Sequence, residues 1–167
     1  MRKLFLFFLV ALYFSLQGCS WVCRFYIANT TSETIIVEMK LTDSVRYFPI
    51  FHHGKLRLYK LKNNNSVNFE NASDIKVDTL ENFSHYKVHI PPHTAIEIGN
   101  LMNDKYEKHD QYFINGRTFN LERMLVSKKG KDIEITPSTF DNYFGKGKYG
   151  EIYFSEDMIV VHQIKKR

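Results

Sequence analysis

The chain has 167 residues, and its 23 lysines and arginines outnumber 18 acidic residues, for a formal charge of +5. That length suits one ordinary domain with a real apolar core, and so mild an excess of charge does not mark a nucleic-acid binder. Only Cys19 and Cys23 are present, which excludes a disulfide framework and leaves the fold to rest on apolar packing.

At the start, Arg2 and Lys3 precede an uncharged apolar run over residues 4–16. A spanning helix needs roughly 20 apolar residues, so the run is too short. It also lacks the polar residue every three or four positions that a core helix would show. A cationic start, a short apolar stretch and small residues behind it make an export signal, expected over residues 1–18. Leu16-Gln17-Gly18-Cys19 resembles the lipobox of bacterial prolipoproteins, with a leucine three residues before the cysteine and a small residue just before it. Gln17 is the one departure from that pattern. The resemblance implies cleavage after Gly18, diacylglycerol on the Cys19 sulfur and acylation of the new amine. Cleavage after Ser20, with Gly18 and Ser20 as the small pair, is the alternative. Where Cys19 is retained without lipid, a Cys19–Cys23 bridge becomes possible. Ser20, in place of an acid after the cysteine, resembles lipoproteins sorted to an outer membrane. Removing residues 1–18 from the 167 leaves 149, and the charge falls to +3 because Arg2 and Lys3 leave. The expected organisation is a signal peptide over 1–18, a lipidated tether over 19–22 and one β-rich domain over 23–167.

Strand signals begin almost at once. Arg24-Phe25-Tyr26-Ile27 and residues 34–41 are rich in β-branched and aromatic side chains, with the polar Asn29-Thr30-Thr31-Ser32 turn between them. Further strands are expected over 45–51, 56–61, 67–69 and 75–80, and Asn63-Asn64-Asn65-Ser66 makes a loop. His85-Tyr86-Lys87-Val88-His89-Ile90 alternates, with Tyr86, Val88 and Ile90 on the buried face. Pro91-Pro92 ends it, and 94–98 resumes with Ala95 and Glu97 opposite Ile96 and Ile98. In 112–119, Asn115-Gly116 between apolar runs predicts a type I′ hairpin. Residues 121–126 fit a helix through Leu121, Met124 and Leu125, or a meander strand. Thr136 and Pro137 predict a short helix with Phe140, Tyr143 and Phe144 on one face. Residues 149–154 and 158–164 close the chain as a hairpin. About ten short strands of this kind predict a single antiparallel β-sandwich, Ig-like or a partly open barrel, with one or two short helices.

Several constellations suggest chemistry. Gly145-Lys146-Gly147-Lys148-Tyr149-Gly150 resembles the glycine-rich loop of protein kinases, with Lys165 near the place of the strand lysine. The chain then ends without the catalytic and metal-binding acids that phosphoryl transfer needs, so a glycine hairpin is the expectation. His85, His89 and His93 recur every four residues, but on a strand that spacing spans roughly 13 Å, too far for one metal ion. Glu97, Asp104, Glu107 and Asp110 gather in a polar stretch that reads as an exposed loop, not as a glycosidase pair. Of 25 aromatic residues, Tyr47, Phe48, Phe51, Tyr59, Tyr106, Tyr112 and Tyr143 are weighed as a sugar-stacking platform against ordinary core packing. Lys128, Lys129 and Lys131, with Lys165-Lys166-Arg167, read as solvated cations or as contacts to anionic head groups. Asp43-Ser44-Val45 and Asp78-Thr79-Leu80 resemble the tripeptide O-glycosylated in exported proteins of the Bacteroidota. The expected function is a small lipoprotein of the bacterial cell envelope: a non-catalytic binding or assembly module without a cofactor. It would be anchored to the membrane through Cys19, facing another envelope protein or a glycan and no nucleic acid. A glycan-recognition lipoprotein and, after it, a small envelope hydrolase are the alternatives.

Overall fold

The computed structural model describes residues 22–42, 48–53, 56–81, 84–128, 130–146 and 151–155. The export segment, Gly18, Cys19, Tyr47 and the strand expected over 158–164 lie outside the described residues. Among the described residues no helix is long and apolar enough to cross a membrane.

The structure is the β-sandwich that the alternating segments predict. One sheet holds β1 (Val22–Asn29), β4 (Leu56–Leu61), β5 (Val67–Ile75), β8 (Thr94–Met102), β12 (Gly145–Lys146) and β13 (Glu151–Ser155), in the order β12-β13-β1-β8-β4-β5. The other holds β2 (Ile35–Leu41), β6 (Asp78–Thr79), β7 (His85–Ile90), β10 (Leu121–Lys128) and β11 (Lys131–Ile135), ordered β11-β10-β2-β7-β6. A two-stranded piece pairs β3 (Phe48–Pro49) with β9 (Arg117–Thr118). Alternation works as the physics of a half-buried strand requires: in β2 every second residue from Ile35 is buried, and in β7 these are Tyr86, Val88 and Ile90. Those side chains meet Phe25, Ile27, Ile96 and Ile98 of the larger sheet in one core.

Residues 121–128 form a strand, β10, whose buried positions Met124 and Val126 face that core. The short helix, α1 (Pro137–Tyr143), forms as predicted, with Thr136 as its cap and the Thr136 N–H donating to Thr139 Oγ1 at 2.9 Å. Phe140 and Phe144 are buried and their rings stack.

Four local expectations need correction. Asn115-Gly116 does not turn a hairpin: Gly116 has the positive φ of 66°, yet it closes a 3₁₀ turn over Ile114–Gly116. The strand after it pairs in parallel with β3, because Phe113 turns inward onto Tyr106 instead of pairing across the turn. Residues 45–51 supply only the two-residue β3 and a single bridge from Phe51 to Gly99 among the described residues. The separate strands expected over 67–69 and 75–80 are one nine-residue edge strand, β5, followed by the two-residue β6. β13 lies parallel to β1 and antiparallel to β12, so the glycine segment does begin a hairpin, but its return strand docks beside the first strand of the chain.

Candidate functional site

The larger sheet is covered on both faces. Its outer face carries a second apolar cluster of Tyr26, Ala28, Tyr59, Val67 and Ala95. Bound into it is Glu97, whose Oε2 accepts a hydrogen bond from the Tyr59 hydroxyl at 2.9 Å and whose Oε1 lies 3.9 Å from Arg24 Nε. Arg24 also lies over the Phe69 ring, which packs edge-on against Tyr26 and Tyr59. Burial, with Glu97 adding to it, pushes the Tyr26 hydroxyl well above its ordinary range, while its hydrogen bond raises the Arg24 guanidinium. The three strands β1, β8 and β4 each contribute one of Arg24, Glu97 and Tyr59. Glu97 thus joins three strands from a nearly buried position, while Arg24 stays 41% exposed at the edge of the cluster.

A second network joins α1 to the loop after β8. Asp141 Oδ1 accepts from the Tyr106 hydroxyl at 2.5 Å, and Oδ2 lies 2.9 Å from His109 Nδ1. Burial acts to raise the Asp141 pKa, but the bonds from Tyr106 and His109 outweigh it and hold the carboxyl below its ordinary range. A carboxylate on the Nδ1 side of an imidazole is how a general base is oriented, and that base then needs a nucleophile in reach. Among the described residues His109 makes no hydrogen bond to a hydroxyl or a thiol; its other contact is the Phe119 ring. The network holds the loop onto the helix.

The polar stretch read from sequence is wired in the same manner. Gln111 accepts from the Glu107 and Lys108 N–H groups and donates to the Lys105 carbonyl; Asp104 Oδ2 accepts from Ile114 N–H. Glu107 pairs with Lys105 and Asp110 with Lys108, and Glu97 lies apart on the strand before them. The four carboxylates do not converge. Nor do the histidines: His85 bridges Glu38 and Glu81, His89 is exposed and His93 sits in a turn with φ 52°. No group of three metal-ligating side chains occurs among the described residues. Of the aromatic candidates, Phe51, Tyr59 and Tyr106 are core residues, Tyr143 is half-buried, and Phe48 and Tyr112 are exposed. Asp78 and Thr79 are exposed on the edge strand β6 and Leu80 is exposed just after it; Asp43, Ser44 and Val45 lie outside the described residues.

No protein family, curated protein or solved structure matches the chain. The residues themselves therefore carry the functional argument, including those that sequence patterns do not flag. Asn120 is fully buried and satisfies both backbone groups of Phe51, accepting from its N–H at 2.8 Å and donating to its carbonyl at 3.2 Å. Asn29 acts similarly at the far end, donating to the carbonyls of Ile90 and Pro91.

His52 is the next residue on the same segment. Its Nε2 lies 3.1 Å from Asn100 Nδ2, an amide that donates to a neutral ring. Burial drives its pKa below the ordinary 6.5; Glu97 opposes this, and Arg117, Arg57 and His53 reinforce it. The unfolded chain thus binds a proton that the folded one refuses. The stability His52 contributes is complete above pH 6.5 and is lost as pH falls through that value toward the folded pKa. Urea unfolding between about pH 7.5 and about pH 5.5 should show a falling midpoint in the wild type and a flatter slope in His52→Gln. Equal slopes would refute the assignment.

Proposed function

We propose that the chain is a lipid-anchored protein of the bacterial envelope, and that its β-sandwich is a non-catalytic binding or assembly module. The observation that carries this reading is how little chain separates Cys19 from the fold. β1 begins at Val22, and Cys23 is already buried. An acylated Cys19 would hold such a domain against the bilayer. The open edge of β5 supports the binding role. It ends its sheet in the described order, and residues 69–74 are exposed along it. An extended partner segment adds to an edge of that kind through backbone hydrogen bonds. Glycan stacking has thinner support, since the Arg117 guanidinium already covers the Phe48 ring at 5.6 Å from its centroid.

One experiment addresses both halves of the reading. A photocrosslinking residue at Ser73, on β5, is introduced into the wild-type chain and into Cys19→Ala. The wild type should take up fatty acid, stay in the membrane fraction and give a discrete crosslink to an envelope protein. Cys19→Ala should lose all three. Unchanged membrane partitioning of Cys19→Ala would refute the anchor, and an anchored protein with no crosslink would refute the module.

A further inference from the structure

Six large apolar side chains are exposed among the described residues. Strand register places Phe48 and Met102 at one end of the sandwich, and Tyr112 and Ile114 belong to the loop tied to that end by the bonds from Gln111 to Lys105 and from Ile114 to Asp104. Strand register fixes that end. Val22, where β1 begins, is paired with Met102, where β8 finishes. On the other side of β8, Asn100 N–H donates to the Ile50 carbonyl and His52 N–H to the Ile98 carbonyl, which brings Phe48 level with Met102. Phe48 is paired in turn with Arg117, and Ile114 is held to Asp104, two residues past Met102. Exposure here is high: 66% for Phe48, 49% for Met102, 89% for Tyr112 and 41% for Ile114. The opposite end, where the chain turns at Thr31-Ser32 and Asn63-Asn64-Asn65, is polar.

Two further facts identify what covers the apolar end. Cys19 is three residues before Val22, at most ~11 Å of extended chain, so an acyl anchor there brings this end, and not the polar one, to the lipid. The charges of the adjoining loop are balanced, Lys105 with Glu107 at 3.2 Å and Lys108 with Asp110 at 3.1 Å, which leaves Arg117, over the Phe48 ring, as the cation among the described exposed apolar side chains. One cation adds only about 1 kcal/mol at an anionic surface, so apolar insertion is the main device. A phenol, a thioether and two hydrocarbon side chains beside paired charges suit the boundary between head groups and acyl chains.

We propose that this end of the sandwich is a membrane-docking surface, with Phe48, Met102, Tyr112 and Ile114 seated in the interface of a zwitterionic bilayer. The proposal rests on the lipid-anchored reading and deepens it. Docking turns the anchor into a fixed orientation, with β5 standing roughly along the membrane normal and its edge open to a partner.

The test uses the full-length lipidated chain with Trp21→Phe, so that a single introduced tryptophan reports. One variant carries Tyr112→Trp at the docking end and another Asn64→Trp at the polar end; both positions are exposed, so neither change disturbs the core. Each is reconstituted into phosphatidylcholine vesicles with or without bromine on the upper acyl carbons. The reporter at 112 should be blue-shifted and quenched at least two-fold by bromine, with no loss at 64. Equal quenching at the two positions on a fatty-acid-labelled protein would overturn the docking surface alone. A blue shift at 112 that ignores bromine, with crosslinks between copies, would overturn it in favour of a second copy of the chain. Absence of label on Cys19 would overturn the anchored reading and this proposal together.

Discussion

Phe25→Ala should lower stability by about 3–5 kcal/mol, the cost typical of emptying a buried phenylalanine site. Phe25 is fully buried on β1, and its ring lies 5.3 Å from Phe51, 5.1 Å from Tyr106 and 6.1 Å from Phe140. Two of these contacts are edge-on, the geometry in which ring quadrupoles attract, each worth about 0.5–1.5 kcal/mol beyond area. The four rings come from β1, the 50–52 segment, the loop after β8 and α1. A single truncation therefore weakens the joint between four pieces of chain at once. Against a total stability of about 5–15 kcal/mol this is a large fraction. With a urea slope near ~2 kcal/mol/M, the unfolding midpoint should fall by about 2 M. Phe25→Leu keeps most of the volume and should lose less than half as much. Loss of the Tyr106 contact should also loosen the Asp141 network, read as faster amide exchange in the loop over residues 103–113. A Phe25→Ala cost below about 1 kcal/mol would mean that the rings do not form a hub.

How much of this was legible in the sequence depended on whether burial had two sides. β2 and β7 each have one face on the core and one toward solvent, so alternation located them within a residue or two. The helix was legible because Thr136 and Pro137 act locally, within one turn. β5 was legible only at its start, over 67–69: as an edge strand exposed over most of its length, it has no buried face to encode, and residues 70–74 gave no strand signal. Gly116 was recognised as a residue with positive φ, but what that φ serves is decided by where Phe113 is buried, a tertiary fact. The parallel pairing of β13 with β1 joins opposite ends of the chain, and no local pattern reports it. Much the same holds for function. Glu97 was visible as the residue opposite Ile96 and Ile98, but not that Arg24 and Tyr59 would meet it there. The docking end is likewise a product of tertiary placement, since Phe48 and Met102 meet through strand register and Ile114 through its bond to Asp104, all far apart in sequence.

Gly99→Ala tests the least legible of these positions. Nothing in the sequence distinguishes Gly99 from a weak point in a strand, yet a Cβ there would lie 2.4 Å from the Ile50 carbonyl oxygen and 3.0 Å from Phe51 Cα. Both are backbone atoms, so no side-chain rotation relieves the clash; the 50–52 segment has to move. It is held by the Asn100-to-Ile50 bond at 3.0 Å and the His52-to-Ile98 bond at 2.9 Å, which flank the Phe51–Gly99 bridge. Overpacking costs about 1–3 kcal/mol, and each strained backbone hydrogen bond adds up to about 1 kcal/mol. A loss of about 3 kcal/mol is therefore expected by urea unfolding, together with faster exchange of the Asn100 and His52 amides. Gly130→Ala is the informative comparison, because there the added carbon meets nothing within 4 Å and only the φ of 75° is unfavourable, at about 1 kcal/mol. The two substitutions separate the uses of glycine in this fold: close approach at 99 and backbone shape at 130. Because Phe48 continues the segment that Gly99 admits, Gly99→Ala should also displace the docking end. The bromine quenching of a reporter at 112 would then weaken in a protein that still carries its acyl chains. If Gly99→Ala unfolds within about 1 kcal/mol of the wild type, the 50–52 segment does not lie in backbone contact with β8.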